Sequence, residues 1–215
     1  PIALTFDGGL ANGNFVGPEG AGDTNASPTI ASVSFASAFT IGNQNDFGAD
    51  GAGATTISYA LQLHAGFVEG SVSGLMSGGV AIRLYENGGV ITGSTSLTEG
   101  GITAGNTVFT LSVNGAGVVT LTQTHAVDHT QTDVYNNAYI SDLQQLANNL
   151  VDLKASAVTT DSEGDSSTTI SALLDLGGNV RFGDDGPANP TVVLSGAEPI
   201  ALTFDGGLAN GNFVG

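Results

Sequence analysis

The sequence predicts an all-β protein, and three observations predict it. Gly supplies 33 of 215 residues while Lys and Arg together supply three, and Thr, Ser, Asn and Val are abundant, a balance that disfavours helix. Apolar residues recur at every second position in several stretches. Strings of Gly, Asn and Asp separate those stretches at short intervals. Short alternating strands with frequent turns describe an antiparallel β-sandwich, immunoglobulin- or cadherin-like in general architecture, with at most one short helix.

The elements follow in order. "IALTF" near the start reads as a strand, and the Gly- and Asn-rich "DGGLANGN" as the turn after it. "TTISYALQLHA" places Ile57, Tyr59, Leu61 and Leu63 on one face of a strand. "VAIRLYENGGVITGST" reads as a hairpin turning at Glu86–Gly89. A second hairpin runs through Val108–Val113, a turn at Asn114–Gly117, and Val118–Thr124. "LVDLKASAVTT" and "STTISALLDL" flank "DSEGD", and "VRF" precedes "GDDGP". The single helix is expected at "SDLQQLANN", with Ser141 as cap, Gln144 three residues later, and Leu143 and Leu146 on one side. "GDDGPANP" is the linker candidate, because Gly and two prolines resist regular structure.

The string "PIALTFDGGLANGNFVG" occupies Pro1–Gly17 and recurs, identical, at Pro199–Gly215. Position 199 minus position 1 gives a period of 198 residues, large enough for each period to bury its own core. We therefore expect one repeat of a tandem array at 1–187, and at 188–215 a linker and the start of the next repeat.

Charged residues form only 11% of the chain, against about 25% in an ordinary globular protein. Twenty are acidic and three basic (Arg83, Lys154 and Arg181), giving −17. Such a chain repels nucleic acid and anionic membrane, and cations are its natural partners. The apolar runs are short and broken by Gly, Ser and Thr, so no membrane insertion is expected. There is no cysteine, which leaves neither disulfides nor thiolate metal sites.

Carboxylate clusters are the main chemical signal. In "DSEGD", Asp161, Glu163 and Asp165 alternate around a Gly-assisted bend, a pattern that lets three carboxylates meet one Ca²⁺ ion. It lacks the distal Glu of an EF-hand, and its bland alternative is a solvated acidic turn. In "GDDGP", Asp184 and Asp185 adjoin at the junction, where they repel unless protonated or shared by a cation; Ca²⁺ is the expected ion, with a plain polar linker as the alternative. Asp46 and Asp50 in "DFGADGAG" form a weaker cluster, with an ordinary loop as the favoured reading. Asp7 and its copy Asp205 end a strand near a junction and are candidates for completing an interdomain site. The three histidines do not predict zinc: His125 and His129 are four apart on a strand-like stretch and His64 is distant, so surface or half-buried roles are preferred. Catalysis is not expected, since there is no Trp to platform a sugar and no Ser–His–Asp order stands out.

The stretches "FGADGAG", "ISYALQL", "GLMSGGVAIRLYENGGVITGST", "VFTLSVNGAGVVTLTQTHAVDH" and "ASAVTTDSEGDSSTTISALLDLGGNVRFGDDGP" together resemble the long tandem repeat of giant type-I-secreted RTX adhesins, the biofilm and cell-surface proteins of Gram-negative bacteria. The similarity runs from about Asp46 to Pro187. "TDSEGD" stands where that family usually carries "TDaDGD", with Glu163 in place of an Asp. The resemblance implies an extracellular, calcium-loaded extender domain at the cell surface. Its partners would be neighbouring repeats of the same chain, and it would space a ligand-binding region from the cell. The alternative is a glycan- or protein-binding adhesion module. The Gly-rich nonapeptide that names the RTX group is absent.

Overall fold

The structure is a computed structural model that describes residues 1–7, 10, 29–49, 51–129, 143–184 and 192–193. Its strands in chain order are β1 (Ala3–Phe6), β2 (Thr29–Ser34), β3 (Ala54–Leu63), β4 (Val72–Ser77), β5 (Val80–Asn87) and β6 (Val90–Ser94). They continue with β7 (Thr107–Val113), β8 (Val118–Gln123), β9 (Gln144–Gln145), β10 (Val151–Thr160), β11 (Ile170–Asp175) and β12 (Val180–Gly183). The all-β expectation holds. Among the described residues the helical segments are one-turn pieces such as Ala36–Ala38 and Glu99–Gly101.

A six-stranded antiparallel sheet, ordered β2-β8-β7-β6-β5-β4, forms one layer. Two three-stranded sheets, β11-β10-β3 and β1-β12-β9, complete a sandwich-like arrangement over its inner face. The alternation in β3 explains the packing: Ile57, Tyr59, Leu61 and Leu63 turn inward while Thr56, Ser58 and Ala60 face solvent. Ile82, Leu84, Ile91, Phe109, Leu111 and Leu121 come from the large sheet, and all are fully buried. Leu61, Leu153, Val180 and Phe182 meet them from the opposite layer. The rings of Phe109 and Phe182 join the layers at 5.0 Å between centroids. Gly93 makes that ring position available, because a Cβ there would lie 2.3 Å from Cε1 of Phe109.

The expected hairpins form with little change of boundary. Gly88 and Gly89 both take positive φ (59° and 80°), the combination a two-residue type I′ turn requires, so β5 and β6 end at Asn87 and begin again at Val90. Between β7 and β8, Asn114 Oδ1 accepts the N–H groups of Ala116 and Val118 and fixes the turn. β10 and β11 pair from Asp152↔Asp175 to Ala157↔Ile170 around the "DSEGD" bend.

The helix expected at Ser141–Asn149 does not form in its described part. Gln144–Gln145 is a strand, paired with β12 as Phe182↔Gln144 and Arg181↔Gln145, and the chain turns at Asn148–Asn149. Local propensity yields here to tertiary demand: β12 needs a partner on its open side, and Leu146 is buried beside that pairing. Ser141 and Asp142 lie outside the described residues, as does the second copy of the duplicated string at 199–215.

Among the described residues one pairing is unlike the rest. β1 and β12 run parallel, in register from Ala3↔Val180 to Phe6↔Gly183. Side chains alternate along each strand, so Ala3 and Thr5 face the core on β1, as do Val180 and Phe182 on β12. The next inward positions are Asp7 and Asp184.

Candidate functional site

The structure brings Asp7 and Asp184 together, and it adds a histidine. The nearest ligand atoms of Asp7, His129 and Asp184 all lie within 4.8 Å of one another. Asp7 and Asp184 meet because each leaves the same end of the parallel pair on the same face. Asp7 is 8% exposed. The side chain of His129 is 4% exposed, with Nε2 3.7 Å from Asp7 Oδ2.

His129 is positioned by the segment that leaves β8. Val127 is buried, and the N–H of Asp128 donates to Met76 O at 2.8 Å. The Asp128 carboxylate accepts the N–H groups of Gly78 and Gly79, each at 2.7 Å, which pins this segment to the β4–β5 turn. Gln123, the last residue of β8, is fully buried beneath the group. Its amide nitrogen donates to Asp7 Oδ1 and to His125 O.

Asp161, Glu163 and Asp165 sit at the β10–β11 bend. Asp161 Oδ1 accepts the N–H groups of Glu163, Gly164 and Asp165 at 3.0, 2.9 and 2.9 Å. One of its oxygens is therefore committed to building the turn, and the side chains of Glu163 and Asp165 face solvent. Among the described residues these three do not gather their oxygens as closely as the Asp7 group does. Asp46 lies at the rim of an open groove of about 730 Å³ between the 38–46 segment and the outer part of β10 and β11. Asp50, Asp185 and Asp205 lie outside the described residues.

The other histidines have local duties. His64 Nδ1 bonds Asp152 Oδ1 at 2.9 Å, and His125 Nδ1 bonds Thr107 O at 2.6 Å. Arg83 and Arg181 donate to the backbone carbonyls of Gly70 and Gly178, each at 2.7 Å. Their charge is thus spent on loop carbonyls.

Residues 17–177 match the family described as Domain of unknown function (DUF5801). The chain belongs to the DUF5801 family. No curated protein matches it, and no solved structure does. The matched span of the DUF5801 domain runs through β2–β11 and takes in His129, whereas Asp7 and Asp184 flank it on either side.

Sequence reading missed His129. "AVDH" carries no local sign of its place, which depends on the Asp128 clamp to a distant turn. Asp7 and Asp184 do share a signal, since each follows a short apolar strand that ends in Phe or Phe-Gly.

Proposed function

We propose that this chain, the DUF5801 domain with its flanking strands β1 and β12, is a structural extender repeat of a large secreted bacterial surface adhesin, stabilised by calcium and spacing a ligand-binding region from the cell. The observation that carries this reading is the parallel pairing of β1 with β12. In a parallel pair, the start of one strand and the end of the other lie at opposite ends. Tension applied there loads the whole ladder in shear instead of peeling it bond by bond. A bead that passes force from one neighbour to the next benefits from that geometry.

The duplicated string supports a tandem setting, and the resemblance of "TDSEGD…FGDDGP" to RTX adhesin repeats supports an extracellular one. Removing the duplicated Asp205 leaves 19 acidic and three basic residues per period, so successive beads repel and resist folding back on each other. Calcium is the cation proposed for the Asp161–Asp165 turn. There Asp161 Oδ2, the exposed Glu163 and Asp165 carboxylates and turn carbonyls offer hard oxygen ligands. No catalytic role is proposed.

A second reading, a binding module for a protein or glycan, is favoured by the groove beside β10 and β11. Ile170 and Leu173 line it and are 70% and 52% exposed. These exposed apolar side chains, set among the hydroxyls of Thr40, Thr55 and Ser171, offer a protein segment both packing and hydrogen-bonding groups.

Small-angle scattering of a chain of three periods tests the first reading. In calcium the profile is expected to be that of a rod that lengthens with each added period. A compact particle whose radius of gyration barely grows from one period to three overturns it.

A further inference from the structure

We infer that Asp7, His129 and Asp184 hold a divalent transition-type cation, zinc first, in a site distinct in chemistry from the proposed calcium turn. Four observations lead there. Two carboxylates stand side by side on adjacent parallel strands, in a largely buried place, where they repel unless a proton or a cation is shared between them. An imidazole faces them, and imidazole is a zinc ligand, whereas calcium takes oxygen. The separation of His129 Nε2 from Asp7 Oδ2, 3.7 Å, is too long for a hydrogen bond. It suits two ligands of one ion, since ligands about 2.0–2.2 Å from a shared centre stand roughly 3–4 Å apart.

The fourth observation concerns the buried side chains packed against the charged group. Gln123 is fully buried, its amide nitrogen is bonded to Asp7, and its Oε1 has no hydrogen-bond partner. The hydroxyl of Thr5, two residues before Asp7 on the same face of β1, is likewise buried with no hydrogen-bond partner. A buried carbonyl oxygen without a donor is costly, and Gln123 carries that cost while its amide nitrogen holds Asp7 in place. Two carboxylates also balance the charge of a divalent ion when the imidazole is neutral.

The ion ties three pieces of chain together: the end of β1, the end of β12, and the segment that leaves β8. This inference stands whether or not the domain serves as a spacer.

Zinc titration of the chelator-stripped chain, followed by calorimetry and thermal melting, tests it. One zinc per chain is expected, with a raised melting temperature that calcium does not reproduce. His129→Ala and Asp184→Asn should each weaken zinc binding at least tenfold and leave the response to calcium intact. X-ray absorption of the zinc-loaded wild-type chain gives a readout that no variant's folding affects. A first shell of one imidazole with oxygens is expected. Absence of zinc binding, a shell of oxygens alone or of several imidazoles, or full affinity in both folded variants overturns the assignment.

Discussion

Asp7 and Asp184 occupy equivalent positions at the ends of two parallel strands, one residue beyond the Phe6↔Gly183 pair, and face the same buried corner. Their closeness has a sign that can be measured. In the chelated chain the two carboxylates oppose each other, so Asp184→Asn should leave stability unchanged or raise it, by up to about 1 kcal/mol. Urea unfolding in chelator checks this. A loss of 2 kcal/mol or more contradicts it.

The Asp161 turn separates two roles of one acidic cluster. Asp161→Ala removes the acceptor of three backbone N–H groups and should cost about 1–2 kcal/mol even in chelator. Glu163→Gln with Asp165→Asn leaves that acceptor in place and should change stability in chelator by less than about 0.5 kcal/mol. The same pair should abolish the rise in melting temperature produced by millimolar calcium. An unchanged calcium response in the double variant moves the calcium elsewhere.

Much of this was legible in advance, for identifiable reasons. The β5–β6 and β7–β8 hairpins follow from "NGG" and "NGAG" between alternating strands, where turn chemistry alone decides the register. The β10–β11 hairpin was equally plain. The missing helix at Gln144 was not, because "SDLQQLANN" has good local capping chemistry and only the open edge of β12 overrides it. In the buried group, Asp7 and Asp184 were legible as acids that follow short apolar strands. That they meet each other depends on a parallel pairing between the two ends of the fold, which no periodicity encodes. His129 depends further on two glycine amides of another hairpin.

Gly93 should tolerate no side chain. A Cβ there meets three atoms of the Phe109 ring at 2.3–2.7 Å, and that ring is locked between layers against Phe182. Gly93→Ala should destabilise by about 1–3 kcal/mol in urea unfolding. Adding Phe109→Leu, which vacates the ring position, should make the alanine less costly than it is alone. Strict additivity of the two changes contradicts the contact.

His64 is the hydrogen-bond partner of Asp152, a carboxylate 1% exposed near the start of β10, the central strand of the β11-β10-β3 sheet. His64→Ala leaves that group buried without its partner and should cost about 2–3 kcal/mol. Asp152→Asn in the same background should recover part of the loss, because a neutral amide is cheaper to bury. Equal stability of wild type and His64→Ala contradicts the pairing.

Force-extension measurement on a chain of several periods in calcium tests the central claim, that the domain is a mechanical bead of a tandem array. The account predicts evenly spaced unfolding steps at well-defined force, one per period. Each step should release at most roughly 650–710 Å, the extended length of a 198-residue period. Featureless extension at low force, or steps whose lengths do not match that period, contradicts it.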